Sequence, residues 1–387
     1  MPPRPILFIS SEYPPTGAGI GVFIENLVRV LAERGRDCWV ATWGRANQTR
    51  AEEKVFRIPF FPFPPPGDML FARALRKTLK VARIENPILN VHSPYPQSAA
   101  GADIATFHIV VRRVLSKGTY RGLKQLQYRL GFPVLCHSEL KLLESGTISA
   151  VSNSVADEIR LEYRFVRDVT VVGNGVDPQR FKPGTLSERP LVLYVGRLDL
   201  NKGVLDFVRM AKLVLAQHPT TTFHMIGRGS AEQLVNREVR RLGLEKSVRL
   251  LGFVPPETLV SEYQSAWAYV SPTRFEGLAT TIIEAMSCGT ACVVSDIPSN
   301  RELLSNSEAF FARPQVPGEY ANLVCRILTH PELIQRFGTN TRRKVLDRFT
   351  WGHVGDRYEA MLRNSLLDES SSLYPGDRTK IQNAPSS

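Results

Sequence analysis

Two glutamates pose the chemical question. Glu276 and Glu284 stand with seven residues between them in the stretch Ser271-Pro-Thr-Arg-Phe-Glu276-Gly-Leu-Ala-Thr-Thr-Ile-Ile-Glu284-Ala-Met-Ser-Cys-Gly289. An ionised carboxylate only accepts hydrogen bonds and can take two at once, so a pair of them suits a ligand rich in neighbouring hydroxyls. The plainer reading is a loop glutamate in water and a helix glutamate on a wet face. For Glu284 that reading is awkward, because Ile282, Ile283, Ala285 and Met286 around it are apolar, and a carboxylate in such a helix is rarely left unpaired.

The elements around the pair place it. Trp267–Ser271 reads as a strand, a loop with Pro and Gly follows, then an apolar helix that Thr280 or Thr281 could cap and Gly289 could end. Ala291–Val294 reads as the next strand. Strand–loop–helix–strand is the unit of an open parallel sheet. Ligands of such sheets sit outside the carboxyl ends of the strands, where Glu276 falls. Loop amides beside a helix N-terminus suit an anionic part of the same ligand.

Other residues could serve the same ligand. Leu191–Val195 reads as a buried strand, and Gly196, Arg197, Lys202 and Gly203 follow it. An Arg fork and a Lys point charge there can neutralise a diphosphate, although both could be ordinary surface charges. Near the start, a strand over residues 5–10 leads into Gly17-Ala18-Gly19-Ile20-Gly21 and an amphipathic helix bearing Phe23, Leu27, Val30 and Leu31. The loop lets backbone approach an anion at a helix N-terminus. It lacks a full G-x-G-x-x-G, so a tight turn explains it as well. His92 and His108 follow strand-like runs; a lone histidine is more often structural, and His108 is the stronger candidate for a site.

Length and composition bound the rest. The 387 residues suggest two domains. No run of 18 apolar residues exists, and Met1–Ser10 lacks a signal-peptide core, so a cytoplasmic protein is expected. Five cysteines in no C-x-x-C pair fit reduced thiols and no zinc site. Asn47-Gln-Thr49 then reads as a chance sequon. The net charge is +12, of which +8 falls within residues 1–180. It could face nucleic acid, an anionic membrane or a phosphorylated ligand. No zinc-finger, RNA-binding or basic-zipper pattern supports nucleic acid. Two basic stretches, Leu70–Arg83 and residues 112–141, could lie on an anionic surface or simply be solvated faces. The Phe/Pro-rich stretch 56–68 reads as neither regular helix nor central strand.

The paired glutamates with the following Ala-Met-x-x-Gly resemble the signature of retaining glycosyltransferases of family 4. Gly196-Arg197…Lys202-Gly203, the Gly19–Gly21 loop, His108 and Asn174-Gly-Val-Asp177 resemble further segments of that family, over most of the chain. Ala18 stands where the family has a glycine, and Ile109 departs from its usual residue after the histidine. The resemblance implies an α/β GT-B fold: two Rossmann-like domains facing each other across a cleft. It implies residues 1–182 as the acceptor domain and 183–350 as the donor domain. A crossover helix 351–367 would return to the first domain, and 368–387 would be a disordered tail.

The resemblance also assigns roles. Glu284 would hold a ribose diol and Glu276 the donor sugar, with amides of Gly277, Leu278 and Ala279. Gly196, Arg197 and Lys202 would bind the diphosphate, helped across the cleft by Gly19, Ile20 and Gly21. Phe253 and Val254 would lie near the base, and His108 near the donor sugar. Catalysis would fall to His108 and Glu276. The implied reaction is transfer of a hexose-type sugar from a nucleoside diphosphate to a glycan, lipid-linked or small-molecule hydroxyl, with retention. No Asp-x-Asp pair is present, so no divalent metal is expected. Peripheral contact with the inner face of a membrane is a further expectation. A sugar-nucleotide epimerase and a non-catalytic binding subunit of the same architecture are the rivals.

Overall fold

The structure is a computed structural model and describes residues 3–14, 19–44, 54–59, 66–93, 102–116 and 135–371. Gly17, Ala18, the sequon at 47–49, residues 60–65, the segment between His92 and Asp103 over 94–101, most of the second basic stretch at 117–134, and 372–387 lie outside the described residues.

The first half runs β1 (Ile6–Ser10), α1 (Gly19–Glu33), β2 (Cys38–Trp43), β3 (Val55–Ile58), α2 (Pro66–Val81), β4 (Ile88–Ser93), β5 (Ile104–Phe107) and α3 (Val111–Ser116). It continues with α4 (135–142), β6 (Thr147–Ala150), α5 (Asn153–Tyr163) and β7 (Val169–Val171). Among the described residues its strands form one parallel sheet in the order β3-β2-β1-β4-β5-β6-β7. The second half runs β8 (Leu191–Val195), a single 3-10 turn (Leu200–Lys202), α6 (Val204–Leu215), β9 (Thr222–Ile226), α7 (Glu232–Arg241), β10 (Val248–Gly252) and α8 (Pro256–Ser265). Then come β11 (Ala268–Ser271), α9 (Thr280–Cys288), β12 (Ala291–Ser295), α10 (Pro298–Leu303), β13 (Ala309–Ala312), α11 (Pro317–Thr329), α12 (Glu332–Arg348) and α13 (Trp351–Ser371). Its sheet is also parallel, in the order β10-β9-β8-β11-β12-β13. In both sheets the order reverses beside the first strand, between β1 and β4 and between β8 and β11. That reversal opens a crevice at the strands' carboxyl ends.

The local sequence explains these elements. β1 and β12 are buried throughout, as expected of strands covered on both faces. Along β8 and β11 the side chains alternate between two apolar clusters. Leu191, Leu193 and Tyr269 pack with α8, α9 and the first domain's core, whereas Val192, Tyr194, Ala268 and Val270 pack under α6, α7 and α11. In α2 the apolar face (Phe71, Ala72, Leu75) is buried, while Arg73, Arg76, Lys77 and Lys80 point outward. Most of the helix's hydrophobic side thus serves the core, while Leu70 and Val81 stay exposed beside the outward charges.

The structure departs from the sequence reading in two stretches here. Residues 56–58 pair in the edge strand β3 and residues 66–68 open α2, so the Phe/Pro-rich stretch is not irregular throughout. Pro66 sits at the first helical position, where its missing N–H has no partner to lose. α13 continues through Ser371, into the stretch expected to be a tail, since no Pro or Gly follows Gly355 before Pro375.

α13 returns to the first domain. Tyr358 packs its ring 5.8 Å from that of Phe8 and its hydroxyl oxygen accepts from the Asn90 side-chain amide at 2.8 Å, while Arg36 pairs with Glu359 at 3.3 Å. Where the chain crosses, Val176 N–H donates to Phe349 O at 2.9 Å, and a Cβ on Gly175 would lie 2.8 Å from Trp351 N. The two crossings between the domains are therefore side by side at this point. Among the described residues, no helix is long and apolar enough to cross a membrane.

Candidate active site between the two sheets

The loop after β8 is shaped by glycines that no other residue could replace. Gly196 has φ +154°, and a Cβ on Gly227 would stand 2.1 Å from Gly196 O. Gly203 has φ +70°, and a Cβ there would lie 2.0 Å from Pro272 O. This close approach presses the 3-10 turn against the loop after β11. Lys202 Nζ and Glu276 Oε2 consequently form an ion pair, each side chain mostly buried. Arg197 remains more than half exposed, 3.6 Å from Asp199. Asp199 is held in turn by the Ser230 amide and hydroxyl at 2.9 and 2.6 Å. Arg228, after β9, lies within reach of the same rim: a Cβ on Gly252 would meet its guanidinium at 3.5 Å. Sequence reading passed over Arg228, although Gly227-Arg228-Gly229 after a strand carries the same signal as Gly196-Arg197.

The loop 276–279 turns its carbonyls toward the first domain. Ser152 Oγ donates to Gly277 O at 2.8 Å, and Asn174 Nδ2 donates to Leu278 O at 3.0 Å. No acceptor among the described residues takes the amides of Gly277, Leu278 or Ala279. Ala279 is the residue at the N-terminal cap of α9 and supplies no side-chain hydrogen bond. The expected threonine cap is absent: Thr280 and Thr281 already lie in the first turn, and the Thr281 hydroxyl accepts from Tyr269 at 2.9 Å. The helix thus presents free N–H groups and the positive end of its dipole to the cleft. Its other end is as expected, with Gly289 at φ +73°.

Glu284 projects from α9 and accepts from the Tyr263 hydroxyl at 2.9 Å. Burial pushes its carboxyl up to about 7, against smaller opposing effects from the Tyr263 hydrogen bond and the nearby Arg180. A glutamate whose acid form is favoured by burial, in a site without a cation bonded to it, is suited to a partner that donates hydrogen bonds to the carboxylate.

Across the cleft, the first domain's residues differ in kind. Gly19 opens α1 with nothing within 4 Å of a would-be Cβ, whereas Gly21 packs against the Tyr13 backbone at 3.0 Å and Ile20 packs on the core. Of the three, only Gly19 faces open space. His108 is buried beside β5. Its Nε2 lies 2.9 Å from His92 Nδ1, and its ring meets Phe23 edge-on at 5.0 Å. Desolvation lowers its pKa to about 3, so the ring is neutral. A Cβ on Gly277 would fall 1.9 Å from His108 O, which brings the two loops into direct contact. Phe253 is strongly exposed and Val254 half-buried against the core; no described contact joins either to the glutamates.

Glu302, in the segment after β12, completes the contact between domains. Its carboxylate accepts from the amides of Asn153 (2.9 Å) and Ser154 (3.2 Å) and from the Asn153 side chain (2.9 Å), at the N-terminus of α5. That N-terminus already has Ser152 as its cap, bonded to Val155 N at 3.1 Å. One hydroxyl therefore caps a helix of one domain and holds the 276–279 loop of the other. The bonds that Ser152, Asn174 and Glu302 make between the domains are not legible in the sequence, because each joins residues more than a hundred positions apart.

The fold defined by these two domains is GT-B. It matches sucrose-phosphate synthase from Thermosynechococcus elongatus with a TM-score of 0.81 at 20% identity, covering 95% of this chain and 100% of that one. Two family profiles match in succession: Glycosyltransferase Family 4 over residues 17–180 and Glycosyl transferases group 1 over residues 176–344. The chain belongs to this glycosyltransferase family. It is 26% identical over 231 residues to an uncharacterised glycosyltransferase of Methanocaldococcus jannaschii, covering 56% of this chain and 59% of that protein. It is 24% identical over 311 residues to phosphatidyl-myo-inositol mannosyltransferase of Mycolicibacterium smegmatis, covering 75% and 76%. The matches span about half the length of several of its curated relatives.

Proposed function

We propose that this chain transfers a sugar from a nucleoside-diphosphate sugar to an acceptor hydroxyl, with retention of anomeric configuration. The observation that carries the proposal is the juxtaposition at α9: Glu276, the free amides of 277–279 and Glu284 lie in sequence along one loop and helix, opposite His108. Lys202 and Arg197 would take the diphosphate, with Arg228 beside them. Glu284 would accept from the ribose diol, and Glu276 from the sugar hydroxyls. Donor binding exchanges the Lys202–Glu276 contact for contacts of each group with the ligand. The amides and helix N-terminus stabilise negative charge as the nucleoside diphosphate leaves. Attack from the same face lets the departing phosphate take the acceptor's proton, so no protein nucleophile is required. Basic side chains supply the countercharge, and the proposal needs no divalent metal. The coarse charge of the first domain, including the outward face of α2, would favour an anionic acceptor or membrane surface.

A panel of sugar nucleotides, with EDTA present, tests this. One donor should raise the melting temperature and release nucleotide when an acceptor is supplied, and Lys202→Ala and Glu284→Ala should lose both effects. Turnover of donor without acceptor would replace the proposal with an epimerase. Stabilisation without any turnover would replace it with a binding subunit. Liposome flotation tests the surface contact. Binding to anionic vesicles that salt abolishes supports it, and absence of binding at low salt removes it.

A further inference from the structure

His92 is a residue that the proposed reaction does not use, yet its surroundings are unusual. It lies near the end of β4, is 1% exposed, and its ring sits 5.9 Å from Phe8 and 5.8 Å from Phe23 between ring centroids. Its Nδ1 meets His108 Nε2 at 2.9 Å. Its Nε2 is buried and has no partner among the described residues. His108 Nδ1 has no partner among the described residues.

Two neutral imidazoles in such a contact share one proton between them. If that proton sits on His108 Nε2, His92 must carry its own on Nε2, leaving a buried N–H with no acceptor. If it sits on His92 Nδ1, the buried atom is a bare nitrogen, and His108 must carry its proton on Nδ1. Buried N–H groups without an acceptor are rarer in folded proteins than acceptors without a donor. The second arrangement is therefore favoured. Burial also keeps both rings from charging, His92 well below the ordinary histidine range with His108 adding to the effect.

We infer that His92 is a positioning residue which fixes His108 as the neutral Nδ1–H tautomer, so that His108 offers the cleft a hydrogen-bond donor. An oxygen of the ligand, a sugar hydroxyl under the proposed function, is the acceptor such a group would take. This use of the donor rests on that proposal; the tautomer itself does not. The same geometry gives a use to the two histidines near the carboxyl ends of the neighbouring strands β4 and β5. The second ring is there to orient the proton of the first.

Ring-nitrogen NMR of the full chain carrying isotope-labelled histidine decides the point, with the His108 signals assigned by their loss in His108→Gln. In the unaltered protein His108 should show a protonated Nδ1 and a bare, hydrogen-bonded Nε2. His92→Phe keeps the aromatic packing and removes the donor, and His108 should then shift toward the Nε2–H form. His92→Asn places an amide N–H close to where Nδ1 stood and should restore the original tautomer. If turnover is found, kcat should fall about tenfold in His92→Phe, the scale of one hydrogen bond, with donor KM little changed, and recover in His92→Asn. A proton on His108 Nε2 in the unaltered protein would overturn the inference, as would an unchanged tautomer in His92→Phe. Should that variant not fold, the spectrum of the unaltered protein decides alone. Should no sugar be transferred by any preparation, the proposed function fails while the tautomer is still read directly.

Discussion

The two domains share a strand order but present opposite kinds of surface to the cleft. The second offers charge: Arg197, Lys202 and Glu276 on loops packed so closely that a Cβ on Gly203 or Gly227 would fall 2.0–2.1 Å from a neighbouring carbonyl, and Glu284 on α9. The first offers neutral groups: the His108–His92 pair, the Ser152 hydroxyl and the Asn174 amide. Charge near a buried site is costly unless a ligand or partner compensates it. Concentrating it on one side leaves a single face that must be neutralised when a ligand arrives. The other face can then close over the ligand with hydrogen bonds that cost little when unmade. The comparison implies that the second domain governs whether a donor binds, and that the first governs what happens once it has.

The sharpest break would come from Lys202→Ala and Glu284→Ala, which should each lower kcat/KM by about 100-fold or more, the scale of losing a charge-stabilising group. A first-domain variant with an equal loss of donor affinity would undo the division. Gly277→Ala is the next largest, because its methyl would meet His108 O. We expect about 10- to 100-fold lower kcat with the melting temperature nearly kept, measured by steady-state kinetics beside a thermal scan.

The charge asymmetry should also be visible in stability. Glu284 has its folded pKa raised from 4.5 to about 7. Between those values the folded state holds a proton that the unfolded state releases, so this group's contribution to stability falls as pH rises through that window. Glu284→Gln should leave stability unchanged below pH 4.5. Above pH 7 it should stabilise the ligand-free protein by about 2–3 kcal/mol, read from denaturant titrations at the two pH values. Donor binding near neutral pH should release protons, detectable by calorimetry in buffers of different ionisation enthalpy. The smallest effect belongs to the clamp. Glu302→Ala should open the domains, seen as a larger radius of gyration in solution scattering, and raise donor KM by about 3- to 10-fold, with Glu302→Gln in between.

The second domain was the more legible in the sequence, and the physical reason is the same asymmetry. Charged residues beside glycines at strand ends are informative because either is unusual in a buried parallel sheet. Glu284 among isoleucines and Lys202 before Gly203 therefore stood out, and the GT-B architecture followed. Neutral groups carry no such mark. His92 resembles any core histidine in the sequence, and only its unpartnered Nε2 and the contact of its Nδ1 with His108 at 2.9 Å distinguish it. Ser152 caps α5, and nothing local shows its second bond to Gly277 O. Glu302 gives no local sign of reaching α5. The missing cap on α9 failed as an expectation for a related reason. Threonine near a helix start usually bonds the backbone, but Tyr269 occupies Thr281 from a neighbouring strand. Tertiary contacts set such details, and a local pattern cannot show them.

The return of α13 bears on how the protein comes into being. Trp351, Val354, Tyr358, Met361 and Leu362 belong to the same apolar cluster as Phe8, Phe23 and Leu27. During synthesis, residues 1–182 leave the ribosome first, yet part of their core is still untranslated while the entire second domain is being made. Both sheets are built from consecutive residues, but the core of the first domain also needs α13, which is made last. At low denaturant, refolding should therefore show the second domain's signal ahead of the first's, with Trp351 fluorescence reporting the late step.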